Sequence, residues 1–359
     1  MTLLDQLGLT LPIIQAPMAG TSTPEMAAAV SNAGALGSIG VAATDAPGAA
    51  AMIGAARART DRPFNVNLFV HATATPNPDR EAAWIEALTP LFVQYDAAPP
   101  TELRAIYRSF AEDDVMLAML LEMRPRVVSF HFGLPAPERI AALKQAGCLL
   151  LSTATNLAEA QAAHRAGVDA VVAQGWEAGG HRGMFDPALP DDRLGTFALT
   201  RLLVREGRLP VIAAGGIMDG AGIAAVLNLG AVAAQLGTAF IACPESSADE
   251  GYRATLASDA AWHTVMTDAI SGRPARCLAN RFTRWGEEHA ALPRPGYPMV
   301  YDAGKALIAA AKAKGEIGYG AQWAGQGAPL SRAIPAAELI ATLVREMEEA
   351  LSSSLRSAR

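Results

Sequence analysis

Residues Val168–Gly183 read VDAVVAQGWEAGGHRG, an apolar run followed by a glycine-rich turn that holds one histidine. Ala170-Val171-Val172-Ala173 shows nothing polar to solvent, the pattern of a parallel strand covered on both faces. Gln174 ends the run, and Gly179-Gly180 let the backbone approach a ligand or take a positive φ without a Cβ clash. His181 is therefore expected on a loop at the carboxyl end of a strand, where α/β folds carry their chemistry.

The same unit recurs outward along the chain. Strand-like runs at Pro12–Ala16, Ala35–Ile39, Phe64–Phe69, Val127–Phe130, Cys148–Ser152, Ala170–Ala173, Val211–Ala214 and Val232–Leu236 follow one another. Between them lie helical patterns at Thr23–Asn32, Ala46–Arg59, Pro137–Ala146, Asn156–Ala166 and Ala221–Leu229. Pro24 stands at a first turn, and Asn156 and Asp219 are good N-cap types. Eight apolar strands in this alternation predict the α/β class, as a (β/α)8 TIM barrel rather than an open sheet.

Two regions break the rhythm. Residues of about 71–125 are too many for one crossover and look like a helical insertion, with helices near Glu81–Tyr95 and Thr101–Glu122. After Pro244, helical stretches near Ser246–Ala257 and Tyr301–Lys314 flank an irregular middle rich in Arg, Pro and Gly. The expected layout is a barrel over residues 1–243 and a smaller, mainly helical second domain over 244–315 that caps its C-terminal face. Residues 316–359 return to the barrel, with a helix at Pro335–Leu355 that closes it or supports an oligomer contact.

Half of the 359 residues are hydrophobic, so a large core can form, and a net charge of −6 gives no general attraction to nucleic acid or anionic membrane. No apolar stretch approaches the roughly 20 residues of a membrane span, and the N-terminus lacks a basic n-region. The reading is a cytoplasmic monomer or homodimer. The three cysteines, Cys148, Cys243 and Cys277, lack CxxC spacing and fit neither a disulfide framework nor zinc. There is no HExxH, no carboxylate cluster and no GxSxG elbow, so no metal is expected.

Ala213-Ala214-Gly215-Gly216-Ile217 follows the seventh strand, and Gln235-Leu236-Gly237-Thr238 ends the eighth. Loops after these two strands commonly bind phosphate through backbone N–H groups, and glycine keeps side chains out of the way. The GxGxxG fingerprint of dinucleotide-binding folds follows no strand here. Asn67 inside an apolar strand needs a polar partner, and His131 at the end of the fourth strand is expected to share a pocket with His181.

Taken together, the motifs resemble the nitronate monooxygenases, formerly called 2-nitropropane dioxygenases. The matching segments are QAPMAG (15–20), FNVNLF (64–69), HFG (131–133), QGWEAGGHRG (174–183), AAGGI (213–217) and QLGTAF (235–240). Flavin-dependent enoyl-acyl-carrier-protein reductases carry a similar EAGGH stretch, so the block after Pro244 discriminates better. There Tyr297, Tyr301 and Lys305 stand at i, i+4 and i+8, as in the first class of the family, and Tyr107 matches its further tyrosine.

The resemblance implies FMN held by Ala16, Pro17, Met18, Asn67, Gln174, Gly179, Gly180, Gly215, Gly216 and the turn Gln235, Leu236, Gly237, Thr238. GAQWAGQG (320–327) resembles the segment that closes over the cofactor and adds Gln322, Trp323 and Gln326. It also implies oxidation of alkyl nitronates such as propionate 3-nitronate by O2, giving a carbonyl compound and nitrite. His181 would be the base for neutral nitroalkanes, for which an imidazole titrating near 6.5 is suited. His131, Tyr107, Tyr297, Tyr301 and Lys305 would line the substrate pocket. The alternatives are an NAD(P)H-dependent flavin reductase and a phosphate-binding barrel without redox activity.

Overall fold

The computed structural model describes residues 2–357. Its barrel strands are β1 (Ile13–Gln15), β2 (Gly37–Gly40), β3 (Phe64–Phe69), β4 (Val127–His131), β5 (Leu149–Ala154), β6 (Ala170–Gln174), β7 (Val211–Ala214) and β8 (Ala233–Leu236). They pair in parallel in the order β1-β8-β7-β6-β5-β4-β3-β2, and the bridge from Ile14 to Leu36 joins β1 to β2. The expected α/β barrel is what forms.

The barrel interior is packed by Ile14, Leu36, Val127, Leu151, Val172 and Ile212, and Leu3 and Leu7 join them from the short N-terminal helix Leu3–Leu7. The helices start where the sequence places polar caps. Thr23, Asp45, Asn156 and Asp219 each accept a backbone N–H from the first turn of the helix that follows. The last helix, Ala336–Ser357, lies against the helix Gly220–Asn228 and closes the barrel wall with Leu339, Ile340 and Leu343. Gly220 makes that approach possible, since a Cβ there would fall 2.1 Å from the Met347 nitrogen.

Two segments differ from expectation. The helix expected over Thr101–Glu122 occupies only Asp114–Met123, capped by Asp113. Leu103, Tyr107 and Phe110 have helical spacing, but they enter three different apolar clusters: with Trp84, with Tyr297, and with the barrel core. One helical face cannot reach all three, so the chain runs irregularly.

The irregular middle after Pro244 forms an antiparallel hairpin, β9 (Thr264–Thr267) and β10 (Ala275–Leu278), followed by the helix Arg281–Glu288. A two-residue strand, Gly180–His181, adds to the edge of β10. The helix Met299–Ala313 packs with the insertion helix Pro78–Val93 through Trp84, Leu88, Val300 and Leu307. Among the described residues, no helix is long and apolar enough to cross a membrane.

Candidate active site

The strand ends and the block after Pro244 enclose a cavity of about 400 Å³, in the size range of small-ligand sites. The barrel contributes Ala16, Pro17, Met18, Asn67, His131, Gln174, Gly179, Gly180, Gly215, Gly216, Gln235, Gly237 and Thr238 to its wall, with His181. Leu236 is not on the wall: it follows Gln235 in β8, and alternation turns its side chain into the outer core.

From the other side come Tyr107, Tyr301, Lys305 and Trp323. Tyr297 lies behind this wall, its ring 5.5 Å from Phe132 and 5.7 Å from His181, with its hydroxyl buried and unpartnered. Gln322 is buried off the cavity against Thr255 Oγ1 (3.3 Å), and Gln326 is exposed, anchored by its backbone N–H on the Glu177 carbonyl (2.9 Å).

His181 is held from both halves of the molecule. Its carbonyl accepts from Gln174 Nε2 (2.9 Å) and from His131 Nε2 (3.1 Å), which sit on β6 and β4. Gln174 Oε1 accepts the Gly183 N–H (2.8 Å), so one amide staples both ends of the turn. Since a carbonyl only accepts, His131 carries its proton on Nε2, and its Nδ1 accepts from Thr153 Oγ1 (2.9 Å). Both nitrogens of His131 are thus engaged, and it orients the turn rather than receiving a proton.

Residues that sequence reasoning passed over complete the clamp. Arg182 is buried, forks onto Asp191 (2.7 and 2.9 Å) and donates to the Gln174 carbonyl. Arg273, also buried, donates to the Met184 carbonyl and lies 4.2 Å over the Phe132 ring. Arg182 was findable as the neighbour of His181 inside the motif; Arg273 stands in a turn with no sequence signal.

Burial controls the protonation states. It pushes the His181 imidazole down to about 3, with His131 and the Arg273 guanidinium acting in the same direction. Burial pushes His131 to about 4, opposed by its bond to the His181 carbonyl. His181 is therefore neutral at physiological pH but a weaker base than a free imidazole, contrary to expectation. Burial likewise raises the Tyr107 and Tyr301 phenols to about 12, so both stay protonated and uncharged. Lys305 is exposed, its ammonium 4.9 Å from the Tyr107 ring and 5.4 Å from the Tyr301 ring, and no carboxylate pairs with it among the described residues.

On the opposite side the wall is backbone. Gly215 and Gly216 take φ of +123° and +69°, open to glycine and strained for other residues. Neither Gly216 nor Gly237 donates its N–H to a protein acceptor among the described residues. The segment Ala324-Gly325 lies directly on Gly179, where a Cβ would fall 2.4 Å from the Gly325 nitrogen, and Gly325 N–H bonds Thr238 Oγ1 (3.0 Å).

A family model described as nitronate monooxygenase matches residues 1–346. The chain is 61% identical to a nitronate monooxygenase of Paraburkholderia phytofirmans, over 97% of this chain and 95% of that one. It is 54% identical to a nitronate monooxygenase of Pseudomonas aeruginosa, over 95% and 97%. The solved nitroalkane oxidase of Streptomyces ansochromogenes superposes with a TM-score of 0.88 at 40% identity, over 98% of this chain and 99% of that one. With a match over nearly the whole chain and identities of this size, the chain belongs to the nitronate monooxygenase family.

Proposed function

We propose that this chain is an FMN-dependent nitronate monooxygenase. It oxidises alkyl nitronates, such as propionate 3-nitronate, and more slowly the neutral nitroalkanes, with O2 to a carbonyl compound and nitrite. The observation that carries this reading is an ammonium, Lys305, that no carboxylate pairs among the described residues, linked through the Tyr301 ring to a neutral histidine in an aromatic chamber. That chamber suits a small anion that arrives already deprotonated.

The wall fits the phosphate and ring of FMN. The open N–H groups of Gly216 and Gly237 would take the phosphate, while Ala16–Met18, Asn67 and Gln174 would border the ring. Both ends of the Gln174 amide are already bonded within the protein, so its part is to shape the wall and hold the His181 turn. When bound, the flavin supplies the electron and oxygen chemistry that side chains lack. Lys305 attracts the anion, and the protonated tyrosines offer it neutral donors without repulsion. The hairpin, the helix Met299–Ala313 and the insertion act as a cap on the substrate side.

The test is direct. Purified protein should be yellow, and should take up O2 and release nitrite with propionate 3-nitronate. A colourless protein, or no nitrite, would overturn the reading. Rapid anaerobic bleaching by NADPH would favour the flavin reductase instead.

Two further outcomes are expected. Because His181 is already neutral, kcat/KM for a fully ionised nitronate should show no histidine limb between about pH 5 and 8. A limb near 6.5 would mean that the imidazole titrates as if in water. Lys305→Met should raise KM for nitronates by about tenfold and flatten its dependence on ionic strength, with neutral nitroalkanes much less affected. Equal effects on both substrates would remove the electrostatic role.

A further inference from the structure

Ser271 lies in the turn between β9 and β10 and is fully buried. Its Oγ is 2.9 Å from His181 Nε2 and 3.1 Å from the Arg273 carbonyl. The hydroxyl has one proton, and a carbonyl can only accept. No other donor among the described residues reaches the Arg273 carbonyl. Giving the proton to that carbonyl satisfies both groups, provided that Nε2 of His181 carries a hydrogen and donates to Oγ. Turning the hydroxyl toward Nε2 would strand a buried carbonyl, the costlier arrangement.

The surroundings hold this geometry. His181 pairs with Ala275 of β10, and Arg182 N–H bonds the Pro274 carbonyl (2.8 Å), which brings the turn against the imidazole. Trp323 and Phe132 pack the ring at 5.0 and 5.5 Å. The other ring nitrogen, Nδ1, has no partner among the described residues and is not a buried orphan, so it opens on the cavity.

We propose that Ser271 is a positioning residue that fixes His181 in the Nε2–H tautomer and makes Nδ1 the nitrogen that accepts the α-proton of a nitroalkane. This rests on the reading of His181 as the base. In the step, the C–H bond breaks, its electron pair stays with the substrate as the nitronate, and the proton forms a bond to Nδ1. The resulting imidazolium keeps its Nε2–H on Ser271, whose own proton stays on the Arg273 carbonyl. No proton has to cross the Ser271 bond.

The tautomer is read in the holoenzyme labelled with 15N-histidine, by long-range 1H–15N correlation. The expected pattern is a protonated Nε2 and a bare Nδ1 for His181, and a protonated Nδ1 overturns the proposal without any variant. Ser271→Ala should mix the tautomers and lower kcat on a neutral nitroalkane by about 10- to 100-fold, with little change in KM and a far smaller loss on the nitronate. Ser271→Thr, which keeps the hydroxyl, should recover most of the ratio between the two substrates. An unchanged tautomer and substrate ratio in Ser271→Ala would also overturn it. If His181→Asn loses both substrates equally, the base reading falls, while the NMR pattern still decides what Ser271 does.

Discussion

Replacing His181 by Asn is expected to lower turnover of a neutral nitroalkane by about 100-fold or more, and turnover of the matching nitronate far less. The two substrates differ by one proton. A neutral nitroalkane must lose it inside the chamber, where His181 is the group with a free, uncharged nitrogen facing the cavity. A nitronate has lost it in solution and needs only to be bound. The depressed basicity of His181 adds that the unaltered protein should already prefer nitronates, because an imidazole at about 3 takes a carbon-bound proton reluctantly. Steady-state nitrite release with both forms of one compound measures the ratio. Equal losses would remove His181 from proton transfer and leave it a wall residue.

Gly179→Ala is expected to release most of the cofactor from the purified protein. The added Cβ would meet the Gly325 nitrogen at 2.4 Å and the Ala324 carbonyl carbon at 2.5 Å, backbone atoms that no rotamer can move aside. The segment around 324 would have to lift, loosening the Gly325–Thr238 bond and shifting Trp323, whose ring is 5.0 Å from that of His181. Overpacking of this kind costs about 1–3 kcal/mol, which corresponds to roughly 5- to 150-fold in affinity. Gly180→Ala is the control. Its Cβ would meet nothing within 4 Å, so only the φ of +75° works against it, at about 1–2 kcal/mol. The flavin-to-protein absorbance ratio of the two variants decides, and full occupancy in Gly179→Ala would show that the segment is not what closes the site.

How much was legible follows from the range of the forces involved. Phe64–Phe69 and Val211–Ala214 appear in the structure at the bounds read from their apolar runs, since a buried parallel strand must be apolar throughout. The helix caps at Asn156 and Asp219 were equally local. Local pattern misleads where side chains of one segment serve different neighbours. Residues 101–113 look helical by spacing, yet Leu103, Tyr107 and Phe110 are drawn to separate clusters. The hairpin leaves little trace in the sequence because its strands are four residues each, and one of them carries a buried arginine, Arg276, bonded to the Trp176 carbonyl.

The candidate site divides along the same line. Its glycines, His181 and the facing residues Tyr107, Tyr301 and Lys305 could be named from motifs, because they stand in segments of recognisable pattern. What each of them does could not be read that way. That both nitrogens of His131 are engaged depends on Thr153 from β5 and the His181 carbonyl. The low basicity of His181 comes from burial that needs both halves of the chain around it. The tautomer depends on Ser271, 90 positions along the chain, and on a carbonyl two residues beyond it.

The sequence alone determined that this chain is an α/β barrel with its glycine-rich turns at the strand ends, because alternation of apolar runs, helix caps and glycine turns are local properties. Protonation state, hydrogen-bond direction and the surroundings of Lys305, with no carboxylate beside it among the described residues, were decided by the tertiary structure. These depend on desolvation and on which distant groups meet, and neither exists until the chain has folded.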